Sequence, residues 1–361
     1  MSIKKDKYYI SLANNLALNS NGYTGLNPSV GVVVVKNDNV ISFGSTGFTG
    51  IPHAEVDALN KLSKNEKKNS TIYISLEPCS HFGKTPPCVN KIIDSKIKRV
   101  VYSINDVDIR TSKKADKILK SKRIKVKNQL LKKISKTIYK NYFYSKKKKI
   151  PYVYGKLAIS KDFYIKDKKN FYITNNYSLK TSHILRSKVN CIVASSKTIN
   201  EDNPKLNCRI NGLNKFSPYV AILDKNLNIK NKSFLVLNAK NIKTYLFYNK
   251  INKNKIKFLK SRKLRLIYSP LKNKKLDFNF ILKKLYKLGI SSVLIEGGKT
   301  LTISLLNRNF FNEFYLFISS QKLKKKGLLK VMNIKSKLSM KFKNIKYNET
   351  FLDKDNLIHY Y

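Results

Sequence analysis

His53, Cys79 and Cys88 bring one imidazole and two thiols into a short stretch of chain, and Glu55 follows the histidine by two residues. Three such donors fill three corners of a zinc tetrahedron and leave the fourth open to water, which separates a catalytic site from a closed structural one. Zinc is the expected metal because the donor set is soft nitrogen and sulfur. Glu55 is placed to shuttle protons for an activated water rather than to bind the ion. A His-Ala-Glu triplet alone is weak evidence, since most such triplets are surface helix. A structural finger needs a fourth ligand nearby, and the other cysteines are the distant Cys191 and Cys208. A Cys79–Cys88 disulfide is compatible with the spacing. Four cysteines, an N-terminus without an apolar leader segment and a chain long enough to need no staple weigh against it.

The elements that must position these residues alternate between helix and strand. Tyr8, Leu12 and Leu16 recur at helical spacing, and residues 30–36 and 40–43 read as buried strands joined by a hairpin turn at 37–39. Residues 53–62 read as a helix with His53 and Glu55 in its first turn. A strand over 71–76 delivers Glu77-Pro78-Cys79 at its end. Pro86-Pro87 suits a helix start, placing Cys88 in the first turn of a helix to 95, where the dipole favours thiolate. A strand at 98–104, a helix at 113–121 and an edge strand at 124–126 complete an α/β/α layer order. Lys146 to Lys149, followed by Ile150-Pro151, mark the expected boundary between domains 1–147 and 148–361, because four adjacent lysines stay solvated and the proline discourages a continuing helix. Beyond it, strands are predicted near 152–159, 190–194, 219–223, 244–248, 265–268, 292–296 and 313–319. Helices are predicted near 174–187, 277–288 and 299–308, with a closing antiparallel pair at 342–347 and 357–361.

The 361 residues carry a formal net charge of +53. Lysine is spread along the whole chain, together with abundant Asn, Ile and Tyr and no Trp, and A/T-rich codons explain that pattern as well as a polyanion partner does. Nonspecific binding to polyanions at low salt is expected, with no specific nucleic-acid partner. No apolar run reaches membrane-spanning length, so a cytoplasmic protein without a membrane partner is expected.

His-x-Glu with a downstream Pro-Cys and a second Cys is the zinc-deaminase arrangement, which usually ends Pro-Cys-x-x-Cys. Here eight residues, 80–87, separate the cysteines. Through Leu76-Glu77-Pro78-Cys79-Ser80-His81-Phe82-Gly83-Lys84-Thr85-Pro86-Pro87-Cys88 the chain resembles the bifunctional riboflavin-biosynthesis deaminase/reductase family. Asn27-Pro28-Ser29-Val30-Gly31 and Pro52-His53-Ala54-Glu55-Val56 match two further motifs of that family, although Thr46 stands where relatives carry a histidine. The resemblance implies a cytidine-deaminase-like three-layer α/β/α domain followed by a dihydrofolate-reductase-like α/β domain that uses NADPH. It implies zinc on His53, Cys79 and Cys88, Glu55 as acid and base, and Asn27, His81 and Lys84 on the ribose and phosphate of a small phosphorylated pyrimidine.

In the second half, Lys156 to Asp162 correspond to a Lys-x-x-x-Ser-x-Asp-Gly segment in which Phe163 replaces the glycine, and Tyr172-Ile173-Thr174 to Trp-Ile-Thr. Residues 198–209 follow Thr-x-x-x-Asp-Asn/Asp-Pro-x-Leu-x-x-Arg, and Ile295-Glu296-Gly297-Gly298 reproduce the Glu-Gly-Gly turn. Paired glycines after a buried strand let backbone amides approach a phosphate at a helix N-terminus. The resemblance assigns Ala158, Tyr172, Thr198, Asp202, Gly298, Lys299 and Thr300 to the cofactor. It assigns Asn170, Arg186, Leu206, Arg209 and Glu296 to the substrate, and it suggests self-association. A planar bidentate donor retained at 186 and 209 in a lysine-rich chain suits phosphate recognition. Ser195 and Lys197 replace glycines common in relatives, and the loop before Tyr172 is short. The expected function is hydrolytic deamination of 2,5-diamino-6-ribosylamino-4(3H)-pyrimidinone 5′-phosphate, then NADPH-dependent reduction of the ribosyl group to ribityl. The rivals are a nucleic-acid base deaminase, an RNA-binding protein on a dead deaminase fold, and a deaminase whose second half does not reduce.

Overall fold

Val32 to Val35 are all buried, and a strand with both faces covered needs a layer of helix on either side. A computed structural model of the protein describes residues 2–83, 85–170, 172–347 and 352–361, in two compact units, Met1–Ile150 and Pro151–Tyr361. In the first unit the strands β1 (Gly31–Lys36), β2 (Asn39–Ser45), β3 (Thr71–Ile74), β4 (Arg99–Tyr102) and β5 (Lys125–Lys127) lie in the order β2-β1-β3-β4-β5. β1 runs antiparallel to β2 and β3, whereas β3, β4 and β5 are parallel. β2, β3, β4 and β5 therefore all end at the same edge. The hairpin turn between β1 and β2 places Asn37 and Asp38 at φ 50° and 62°, the left-handed pair that tight hairpins favour.

Val32 and Val34 point into a core with Ala54, Ala58, Ile92 and Leu119 from the helices Ala54–Asn60, Cys88–Asp94 and Ala115–Ser121. Val33 and Val35 point the other way, onto Tyr9, Ile10 and Ala13 of the helix Ile3–Ser20. That helix turns Tyr9 rather than the exposed Tyr8 inward, so its buried stripe is shifted from the one the sequence spacing picked. Gly44 marks where β2 meets the helix that follows His53: a Cβ there would sit 2.4 Å from the Ala54 carbonyl. The lysine run is itself helical, as the last turn of Lys140–Lys148, and Lys149 closes that helix in the left-handed conformation.

The second unit is a nine-stranded sheet. Its order is Arg265–Tyr268, Thr244–Tyr248, Tyr219–Leu223, Cys191–Ser195, Ser292–Ile295, Tyr152–Ile159, Glu313–Ile318, Asn356–Tyr360 and Ile345–Tyr347. The first seven are parallel to their neighbours and the last two pair antiparallel. These strands and the helices Asn176–Ser187, Phe278–Lys287 and Lys299–Asn307 lie where periodicity predicts them. The short sheet pairing Tyr164–Asp167 with Gly327–Lys330 was not foreseen. In parallel sheets ligands bind beyond the carboxyl ends of the strands, and both sites described next lie there.

Candidate functional site

In the first unit, β2 leads through residues 46–52 to His53, the N-cap of the helix Ala54–Asn60. β3 leads through Ser75-Leu76 to Glu77-Pro78-Cys79, and Cys88 opens the helix Cys88–Asp94 behind Pro87. The three donor atoms all lie within 4.8 Å of one another. His53 Nδ1 is 3.3 Å from Cys88 Sγ and 3.6 Å from Cys79 Sγ. A tetrahedron with ordinary zinc–nitrogen and zinc–sulfur bonds has N···S edges of about 3.5 Å, so the donors fit that ion. The Cys88 amide donates to Cys79 Sγ at 3.2 Å, an outer bond of the kind that steadies a thiolate ligand. Contact with Cys88 holds the Cys79 thiol well below its ordinary range, and the same contact, with burial, raises Cys88. On a bound dication both would be thiolates.

Glu55 is 3 % exposed, and burial pushes its carboxyl up to about 7, the range in which a carboxylate can both take and return a proton. Behind the cysteines, buried Glu77 accepts the backbone amides of Asp106 (3.1 Å), Lys113 (3.0 Å) and Ala115 (3.2 Å). The loop after β4 is thereby held against the segment that leads into Cys79. Asn27 donates from Nδ2 to the Gly50 carbonyl at 3.1 Å, on the stretch leading to His53. His81 Nδ1 is 2.9 Å from Thr111 Oγ1. Lys84 lies outside the described residues. Thr46, at the departure from the family pattern, is buried and accepts the Val30 amide at 2.8 Å.

In the second unit, Glu296 follows the strand Ser292–Ile295 and receives Arg186 in a fork, Nε to Oε1 at 2.7 Å and Nη2 to Oε2 at 2.8 Å. Burial opposes the charge on Glu296, but Arg186 and Lys156 hold its carboxyl down at about 2. Arg186 also donates to the Asn207 carbonyl at 3.2 Å, and the Arg209 amide donates to His183 Nδ1 at 3.2 Å. The loop carrying Leu206 and Arg209 is thus pinned to the helix Asn176–Ser187. Leu206 turns its side chain into the interior, whereas the Arg209 side chain is exposed.

Thr198 and Gly298 are brought together: the Gly298 amide donates to Thr198 Oγ1 at 3.4 Å, where the helices Ser196–Asp202 and Lys299–Asn307 begin. A Cβ on Gly298 would meet only Thr198 Oγ1, at 3.9 Å. Two helix starts thus meet with space left beside Gly298, and helix starts favour anions. Lys299 and Thr300 are exposed in the first turn, and Ala158 is half-buried in the strand Tyr152–Ile159. Asp202 is paired with Lys166 at 2.6 Å. Asn170 bonds to Asp167 at 3.0 Å, and the exposed Tyr172 lies near enough to Arg186 to interact with its charge. Phe163 adopts φ 71°, the left-handed conformation that glycine takes most readily.

Sequence reasoning passed over Lys156, whose ammonium interacts with Glu296 and Arg186 and whose proton affinity is lowered by burial. The signal was available: Lys156 is the one charged residue in the strand Tyr152–Ile159. It also gave no role to Glu77, whose three amide partners come from 29 to 38 residues away.

Residues 3–104 match the cytidine and deoxycytidylate deaminase zinc-binding region, and residues 151–346 match the RibD C-terminal domain. The riboflavin biosynthesis protein RibD of Aquifex aeolicus is 33% identical over 316 residues, 87% of this chain and 86% of that one. A diaminohydroxyphosphoribosylamino-pyrimidine deaminase of Buchnera aphidicola is 42% identical over 139 residues, 38% of this chain and 94% of its own length. The crystal structure of a diaminohydroxyphosphoribosylaminopyrimidine deaminase/5-amino-6-(5-phosphoribosylamino)uracil reductase from Thermotoga maritima superposes with a TM-score of 0.81. It is 27% identical, and the match covers 99% of this chain and 98% of that one.

Proposed function

The chain belongs to the RibD family of riboflavin-biosynthesis proteins, a zinc-dependent deaminase joined to an NADPH-dependent reductase, and from that membership we propose how its own residues divide the work. The first unit takes the phosphorylated diaminopyrimidinone; water replaces the ring amine and ammonia leaves. His53, Cys79 and Cys88 hold the zinc, which supplies an activated water. Glu55 accepts a proton on the attacking side and returns one to the departing amine. Asn27, His81 and Lys84 hold the sugar phosphate. The observation that carries this reading is the pair of 3.3 and 3.6 Å donor edges closed beside a buried carboxyl.

The second unit receives the deaminated product and NADPH, which supplies a hydride to the sugar's C1′. Thr198, Gly298, Lys299 and Thr300 take the cofactor phosphates, with Ala158, Tyr172 and Asp202 along the rest of the cofactor. Arg186, Arg209, Asn170, Leu206 and Glu296 line the substrate side. Arg186 keeps Glu296 ionised, and that carboxylate attracts the Lys156 ammonium. Burial works against that attraction and lowers the proton affinity of Lys156, so that it stands ready to release a proton as the hydride arrives. Replacing Cys88 by Ala tests the division of labour: zinc content and ammonia release should be lost while reduction of separately supplied deaminated intermediate persists. Loss of both activities in a folded C88A protein would contradict it.

A further inference from the structure

Thr111 is completely buried, so its hydroxyl cannot find water. Among the described residues its hydroxyl meets one side-chain partner, His81 Nδ1, 2.9 Å away. A buried hydroxyl hydrogen left without an acceptor is costly, so the hydroxyl must donate and Nδ1 must accept. A neutral ring that accepts at Nδ1 carries its hydrogen on Nε2. The backbone presents this contact rigidly: Glu77 fixes the amides on both sides of Thr111, and Ser80 Oγ donates to the Arg110 carbonyl at 3.4 Å.

We propose that Thr111 is a positioning residue for deamination, locking His81 as the Nε2–H tautomer so that it offers a donor to an oxygen of the phosphorylated substrate. The proposal rests on the reading of His81 as a substrate contact. It gives the loop after β4 a part in substrate affinity without requiring it to touch the substrate.

The test uses the zinc-loaded full chain. Nitrogen-15 spectra of histidine-labelled protein distinguish the two tautomers, and with four histidines in the chain the His81 signals are assigned by their loss in H81A. Wild type should show His81 with hydrogen on Nε2; hydrogen on Nδ1 overturns the proposal, whatever the variants do. T111V should raise the KM for ammonia release about five- to tenfold, leave kcat within about twofold, and mix the tautomers. T111S, which keeps the hydroxyl, should restore both readings. If H81A raises KM while T111V moves neither KM nor the tautomer, Thr111 has only a packing role. If H81A itself leaves KM unchanged, His81 does not hold the substrate and the underlying reading fails. Should T111V lose zinc, the wild-type tautomer and T111S still decide.

Discussion

At the scale of single residues, the chemistry depends on a few groups whose surroundings set their protonation. Glu55 is held near neutrality by burial, so Glu55→Gln, which keeps shape and loses the proton shuttle, should lower ammonia release by about a hundred- to ten-thousandfold. Metal analysis should find zinc retained, because Glu55 is not a ligand. Lys156 is the counterpart in the reductase. Its proton affinity is reduced mainly by burial, with Glu296 pulling the other way. The protonated form is the donor, so NADPH oxidation should fall as pH rises through a value below the ~10.4 of an ordinary lysine. Lys156→Met should remove that alkaline limb along with most of the rate, and ammonia release should be unaffected. Retention of full reductase activity in K156M would remove Lys156 from the mechanism.

At the scale of elements, strand ends place the ligands and polar pins hold the layers. Asp6 on the helix Ile3–Ser20 is fully buried and accepts both arms of Arg99 (2.7 and 2.8 Å), Lys127 (2.9 Å) and Tyr73 (2.9 Å), joining the helix to β3, β4 and β5. Burial works against its charge, but these donors hold its carboxyl down at about 2, from an ordinary 3.8. A depressed carboxyl stabilises the fold above its unfolded value and loses that contribution as pH falls toward its folded one. The shift corresponds to about 2 kcal/mol. The stability gap between wild type and Asp6→Asn should be full at pH 6 and smaller by about that amount at pH 2, as denaturant melts would show. A gap independent of pH would mean that the Asp6 charge contributes nothing.

The elements were largely legible because period and punctuation agree: Pro86-Pro87 announced the Cys88 helix, and the β-branched runs announced the central strands of both sheets. What stayed illegible depends on contacts distant in sequence. Nothing in the local pattern around Thr111 reveals that it meets His81 across 30 residues, or that Glu77 gathers the amides around it. The outer hairpin Leu271–Lys272 with Lys275–Leu276 is too short for any periodicity to register.

At the scale of the whole molecule, two units carry two sites, and a charge of +53 surrounds them. Among the described residues no helix is long and apolar enough to cross a membrane. The charge follows from lysines scattered over both units, so affinity for heparin or RNA should drop about a thousandfold or more between 50 and 200 mM salt. Salt-resistant, sequence-selective RNA binding would instead favour a nucleic-acid role. The most direct measurement supplies the zinc-loaded protein with the phosphorylated diaminopyrimidinone and NADPH, and follows ammonia and absorbance at about 340 nm together. Ammonia should appear first, with NADPH consumed as deaminated product accumulates. Ammonia without oxidation, even with that product added directly, would contradict the reductase assignment, and neither signal from zinc-loaded protein would contradict the account as a whole.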